Sequence, residues 1–461
     1  MLDSIKKYIE EKGYTIDTDA LQKLRAADEW YRGTASAWHK REGLQQGSTY
    51  TIEQLLFGKR LAADEAAFVE LLEINADNTN LDALWELLDA NRLISEYRKQ
   101  AEETAALGTT AAYISYEGAD ELDNGAVSDN GRLCINYVEA LSIIPLSVVR
   151  GIITEVAFVG QTTRRGAEFE RLIMFTLNEN GTYHVETTDF DKQTGEPTEQ
   201  TAADLGEVKP FAIMRCAEVN SLAGMDGYGL PKIYTAIPYL KGLDAAYTVL
   251  LTDAESAEKI TIIDEALTTV DDEGNAYPPS DALKNRFVKL DALPSKEGGL
   301  VVEINPKIRI AECEQAIEFL LSMASLQFGF GAKKYRLEAG QITTATEYIG
   351  ERQDAMQALN KQREEARQYI AGICDALNWF SATYTGRLLY PEGTELTISF
   401  DDSFIEDTAT KLERMRNDCL SFGNTAMRIQ YLMQQYHIDE ETARAWLTPD
   451  TEEDKTPEFG A

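Results

Sequence analysis

Two helix-forming stretches separated by a short β-prone insert restrict this chain more than any other feature. Ile237 to Ala257 carries Leu240, Leu243, Tyr247, Leu250 and Leu251 at spacings near three and four, the period of an α-helix with a buried face. Ala311 to Gln327 is the second helix. Between them, Ile260 to Arg309 has β-prone ends, Ile260-Thr-Ile-Ile263 and Gly299-Leu-Val-Val-Glu-Ile304. Its interior is marked by turn residues such as Asp272-Glu-Gly274 and Pro278-Pro279. If the helices pair antiparallel, the insert sits at the tip of a hairpin and projects from the body. That geometry suits contact with a partner better than catalysis.

Charge limits the function classes. The 461 residues carry 44 Lys and Arg against 78 Asp and Glu, a formal net charge of −34. A protein that grips duplex over its whole surface needs the opposite balance, because it neutralises phosphates with Lys and Arg. Hydrophobic residues at 44% nevertheless leave ample material for a core, which argues against global disorder. The length accommodates roughly two to four domains. The N-terminus, Met1-Leu-Asp-Ser-Ile-Lys-Lys7, lacks a signal-peptide apolar core, and no apolar run of about 18 residues predicts a membrane span. Cys134, Cys216, Cys313, Cys374 and Cys419 are scattered, as are His39, His184 and His437. This predicts a reduced intracellular protein without a zinc site, disulfide framework or cofactor.

The remaining pattern predicts an α+β chain. Leu2–Lys12 reads as a short amphipathic turn-former in a mostly helical first hundred residues, and helices are expected over Leu61–Asn75 and Leu81–Ala106, the last with Asn80 as N-cap and its end at Gly108. Strands are expected at Thr110–Tyr116, Cys134–Val138, Ile152–Val159 and Glu207–Arg215. Arg171–Leu177 and Tyr183–Thr188 form a hairpin about Gly181. Asp189–Asp204 reads as a polar loop. The longest helix is Thr343–Tyr384, followed by a strand at Glu395–Phe400, helices over Asp407–Phe422 and Ala426–Leu447, and an acidic tail.

Catalytic signatures are sparse. No P-loop and no GxSxG elbow occurs, and Gly227-Tyr-Gly229 and Gly329-Phe-Gly331 lack a dinucleotide site's third glycine. Asp401, Asp402 and Glu406 at a strand end keep a metal-dependent hydrolase open, although acids at a helix N-terminus have the same pattern. The segment Phe328–Gly340 is different: Lys333, Lys334 and Arg336 lie among Phe328, Phe330 and Tyr335. Such a cluster can touch phosphates, or its rings can pack while its cations pair with local acids.

From Trp30 onward the order of motifs resembles the portal proteins of siphophage-type tailed bacteriophages, the SPP-one-like and Listeria-phage-like group. The carriers are Trp30-Tyr-Arg-Gly33, Trp38-His39, Ala106-Leu-Gly-Thr109, Ile135-Asn-Tyr-Val-Glu-Ala140, Ile144-Pro-Leu-Ser147 and Gly151-Ile-Ile-Thr-Glu-Val-Ala-Phe-Val159. They continue with Pro210-Phe-Ala-Ile213, Gly227-Tyr-Gly-Leu-Pro231, Ala236–Asp244, Phe328-Gly-Phe-Gly331, Thr343–Glu347 and Phe400-Asp-Asp-Ser-Phe404. The chain departs from the family at Lys59–Ala67, where a Trp-containing acidic helix is usual.

The resemblance implies a non-enzymatic, dodecameric ring at a capsid vertex, assembled in the host cytoplasm. It would pass double-stranded DNA and dock the terminase large subunit, the head–tail adaptor, and major capsid and scaffold proteins, without membrane contact. It implies an N-terminal helical region (1–60), a wing (61–231 and 343–402), stem helices (232–258 and 310–327), a clip (259–309), a tunnel loop (328–342), and a crown with its tail (403–461). Lys333, Lys334, Tyr335 and Arg336 would face DNA. Asp271, Asp272, Glu273, Lys284, Arg286 and Lys289 would be charged docking positions of the clip. Another phage head protein, a scaffold or adaptor, is the alternative within the same class.

Overall fold

The structure, a computed structural model, describes residues 3–42, 49–118, 131–164, 166–256, 260–264, 269–270, 276–277, 286–290, 301–304, 307–332, 334–335, 345–401, 416–417, 419, 425–436 and 440–447. The fold is α+β, as expected. Two compact units divide at Ser399/Phe400. The second contains the helices Thr425–Tyr436 and Glu440–Leu447, joined by an edge-to-face contact of Tyr436 and Trp446.

The first unit opens with α1 (Asp3–Glu11), α2 (Thr18–Arg32) and α3 (Ser36–His39), then the short pair β1 (Lys40–Glu42) and β2 (Thr49–Thr51). Asp17 starts α2 by accepting from the Asp19 and Ala20 amides at 2.8 and 3.2 Å. Ala20, Leu24 and Ala27 then recur at helical spacing on its buried face. Next come α4 (Phe57–Ala66), β3 (Leu71–Ala76), α5 (Asp82–Ala90) and α6 (Leu93–Leu107). The strands β4 (Thr109–Glu117), β5 (Arg132–Val138), β6 (Ile143–Val149), β7 (Ile152–Arg164), β8 (Ala167–Leu177), β9 (Tyr183–Asp191), β10 (Pro197–Asp204) and β11 (Phe211–Arg215) follow.

β6 to β10 form one antiparallel meander, order β10-β9-β8-β7-β6. α1 lays Ile5 and Ile9 on it, against Ile144, Ala157, Leu172, Met174 and Phe190. A smaller sheet, β11-β4-β5, meets the meander through rings: Tyr113 stacks on Phe158 at 5.4 Å and Phe175 meets Phe211 at 5.6 Å.

The predicted hairpin is present. α7 (Lys232–Ser256) and α8 (Ile310–Gln327) run antiparallel. Gln327 donates to Thr235 at 2.8 Å, Gly242 faces Leu320, and Arg309 forks onto Asp253 at 2.7 and 2.8 Å. Gly242 lets the helices close, because a Cβ there would lie 2.9 Å from the Leu320 side chain. The insert's ends are strands, β12 (Ile260–Asp264) and the antiparallel Val301–Ile304, with Arg286–Leu290 parallel on the other side of β12. After the hairpin, α9 (Ala345–Thr385) packs along the smaller sheet with Gly372 over Ala212. Leu396–Phe400 then pairs with β3.

Several expectations need correction. The helix expected over Leu61–Asn75 stops at Ala66; after a 3-10 turn the chain becomes β3, whose pairing overrides its helical spacing. Leu81–Ala106 is two helices. They break at Arg92, which has φ +55°, where Asn91 turns to accept the Ile135 amide at 2.9 Å. Asp189–Asp204 is not a loop throughout, since Pro197–Asp204 pairs with β9. All eight residues of β10 are exposed, so no apolar alternation marked it. β11 begins at Phe211 rather than Glu207, and β6 was not expected. The N-cap position of α5 is Leu81 rather than the expected Asn80, although Asn80 Oδ1 accepts the Asp82 amide at 2.7 Å just before the helix; Gly108 ends α6 at φ +86°, as expected. Most of Asp407–Phe422 lies outside the described residues.

Gly108 also touches the approach to α7. The Cys216 amide donates to its carbonyl at 2.8 Å, and a Cβ on it would run into the Gly229–Leu230 backbone. Gly108→Ala is therefore expected to cost about 2–4 kcal/mol through positive φ and backbone clash together, read by chemical denaturation. Buried Glu103 accepts the Ala140 amide at 2.8 Å; burial, with Glu139 adding, pushes its carboxyl up to about 7 against that amide's pull. A carboxyl raised by folding binds more protons in the native state. Its cost is absent below the ordinary carboxyl range and grows as pH rises through about 7. Glu103→Gln should therefore exceed the wild type in stability at pH 8, by on the order of 2 kcal/mol, with the gain gone near pH 4.5 in parallel melts.

Candidate functional site

The site is the root of the hairpin, where the segment after α8 returns to the body. Lys232 is the first residue of α7 and is almost fully buried, at the helix end least suited to a cation. An ammonium has three N–H donors. Glu65 on α4 accepts at 2.8 Å, Glu218 at 3.1 Å and the Phe328 carbonyl at 3.5 Å. Burial acts against the charge of the lysine and also raises the Glu65 carboxyl, but the carboxylates of Glu65 and Glu218 at the ammonium outweigh it and raise the Lys232 pKa. One side chain thus joins α4, the segment before α7, α7 itself and the residue that ends α8.

The basic-aromatic segment is seated beside this clasp. Phe328 and Phe330 are buried in the core shared by α2, α4, α6, α7 and α8. Ser325 donates to the Gly331 carbonyl at 2.8 Å, folding the chain back on α8. The Lys334 ammonium lies 3.6 Å from the Phe330 ring centre and 4.9 Å from that of Phe68, and pairs with Asp64 at 3.5 Å. Burial lowers its pKa, with Asp64 opposing. Tyr335 donates to Asp64 at 2.7 Å and meets Phe57 edge to face at 4.9 Å. Its phenol pKa is raised by burial and by that bond. Arg60 completes the group at 3.0 Å from Asp64.

Of the four positions expected to face DNA, Lys334 and Tyr335 are therefore engaged with the body: rings pack and the cation pairs with an acid. Lys333 and Arg336 lie outside the described residues. So do Asp271, Asp272, Glu273 and Lys284 of the insert. Arg286 and Lys289 sit on a strand in register with Ile260 and Ile263. For the hydrolase alternative, Asp401 directly follows the strand Leu396–Phe400, while Asp402 and Glu406 lie outside the described residues. Among the described residues, no group of three or more His, Cys, Asp or Glu is placed to hold a metal ion, and no helix is long and apolar enough to cross a membrane. Sequence reasoning missed Lys232, Glu65 and Asp64. The available signal was a lysine at the start of an apolar helix, and adjacent acids in Lys59–Ala67, where the chain departs from the portal pattern.

No protein-family model matches the chain, and no curated protein matches it. Among solved structures, one that matches is a chain described as "Neck of native GTA particle computed with C12 symmetry". It is 11% identical, covers 81% of this chain and 88% of its own, and has a TM-score of 0.37.

Lys232→Met is expected to cost about 3–5 kcal/mol in urea unfolding, because Glu65 is left buried without its countercharge. Adding Glu65→Gln should recover more than half of that loss. Lys334→Met, which keeps the ring contacts of the stem, should cost only about 1 kcal/mol.

Proposed function

We propose that this chain is the subunit of a portal-type ring at a bacteriophage capsid vertex. The ring is a conduit for double-stranded DNA during packaging and ejection, and a docking platform for the terminase large subunit and the head–tail adaptor. It assembles with capsid and scaffold proteins in the host cytoplasm and becomes part of the virion. The subunit hydrolyses nothing; ATP chemistry belongs to the terminase. The observation that carries this reading is the antiparallel α7/α8 hairpin with a small sheet at its far end and a buried ionic clasp at its root. The ordered series of portal-like motifs supports it.

Surface chemistry supports the ring. Phe319 and Leu326, seven residues apart on α8 and so on one side of it, are 65% and 51% exposed. An apolar stripe of this kind needs cover, and a head-to-tail neighbour supplies it, since closed rings form from two unlike faces. The acidic balance suits a channel through which a duplex slides without sticking. In this arrangement Lys334 and Tyr335 hold the base of the tunnel loop, and Lys333 and Arg336 are the members that reach phosphates.

Negative-stain electron microscopy of the purified protein tests the reading. Rings with a central hole, twelvefold in class averages, are expected; monomers, filaments or closed shells overturn it.

A further inference from the structure

β11, α9 and the start of β7 border a cavity of about 270 Å³, apart from the hairpin root. Four charged side chains line it: Lys209, Arg215, Glu365 and Asp375. Glu365, Gln368, Gly372 and Asp375 recur at spacings of three and four on α9, which puts them along one side of that helix. Lys209 comes from the chain just before β11. It is held there by Pro210, whose carbonyl accepts the Ile114 amide at 3.0 Å.

Lys209 is half-buried. Its Nζ donates to the Ile153 carbonyl at 2.8 Å and lies 4.5 Å from the centre of the Phe211 ring. Among the described residues, no carboxylate stands within ion-pair distance of it. The two acids of the cavity are engaged elsewhere. Asp375 accepts from the Tyr390 hydroxyl at 3.0 Å, and Glu365 faces Arg215 at 3.8 Å. Burial, with Arg215 adding, pushes the Lys209 amine down to about 8. Lys12 and Lys192 are the contrast, because hydrogen bonds to Glu186 and Glu168 hold them above the ordinary lysine range. At pH 7.4 about a fifth of Lys209 is then free amine, against roughly one in a thousand for an ordinary lysine.

A desolvated free amine is a nucleophile. The cavity wall beside it includes Ile152, Val208 and Ile213, apolar surface that admits an uncharged electrophile. We infer that Lys209 is a carbon dioxide site, at which a carbamate forms and is held by Arg215. The Nζ lone pair attacks the carbon, an N–C bond forms, one C=O pair moves onto oxygen, and a proton leaves Nζ for solvent. The product carries one negative charge where the ammonium carried a positive one. Arg215 favours it twice over: it repels the ammonium and attracts the carbamate. After bonding the Gly151 carbonyl at 2.5 Å, its guanidinium still has N–H groups to donate. The inference is independent of the conduit reading.

The test uses the full-length protein equilibrated at one carbon dioxide pressure and treated with triethyloxonium, which esterifies carbamates. Digestion and mass spectrometry then locate the adduct. It is expected on the Lys209 peptide and not on the exposed Lys7, and at least about tenfold more at pH 8.5 than at pH 6.5, because the free amine appears across that range. With 13C-labelled carbon dioxide, one carbamate resonance should be lost in Lys209→Arg. Arg215→Gln should lower the occupancy of Lys209 at pH 7.4 at least about threefold, with an unchanged circular dichroism spectrum. An unmodified Lys209 overturns the inference. So does equal modification of Lys7 and Lys209, which makes the reaction that of any surface amine. Equal occupancy in a folded Arg215→Gln protein overturns the paired site. If either variant fails to fold, the wild-type peptide map and its pH dependence still decide.

Discussion

A buried ammonium imposes the order of the rest. Lys232 cannot stay charged in the core unless acceptors surround it, and those acceptors come from three separate parts of the chain: Glu65, Glu218 and the Phe328 carbonyl. Each fixes a neighbour. Glu65 follows Asp64, which holds Lys334 and Tyr335; Glu218 belongs to the segment that Gly108 and Gly229 draw against α6; Phe328 ends α8. A charge that costs energy to bury becomes a constraint on topology, because few arrangements satisfy all three donors at once.

The hairpin was legible because its signals are local and redundant. α7 repeats apolar residues at helical spacing, the insert begins and ends in β-branched runs, and α9 extends through 41 residues without proline. Elements whose state is decided by pairing were not legible. β3 has apolar spacing that fits a helix, and only Leu396–Phe400 beside it makes it a strand. β10 has no apolar face because both its sides meet solvent. The break at Arg92 depends on Asn91 finding the edge of β5, a contact 44 residues away in sequence.

The site was half legible for a similar reason. Composition picked out Phe328 to Arg336 as a place where cations and rings coincide, but not which partners those cations meet. Asp64 is distant in sequence, and its neighbour Glu65 faces a different lysine. Other contacts were hidden more deeply still: Arg41 and Lys241, separated by 200 positions, approach the Trp38 ring at 3.8 and 5.2 Å only after α3 is pinned to α7 through His39 and Asp244.

The hairpin is also a lever. α7 has 25 residues, hence a length of about 37 Å, with the strand-bearing insert at one end and the ionic clasp at the other. A tilt of about 5° about the clasp moves the far end by about 3 Å at that length. Conversely, a rotation of α7 at its root bears on Lys232 and the Phe328 carbonyl together, and because that carbonyl begins the basic-aromatic segment, the same rotation is felt at the segment's base.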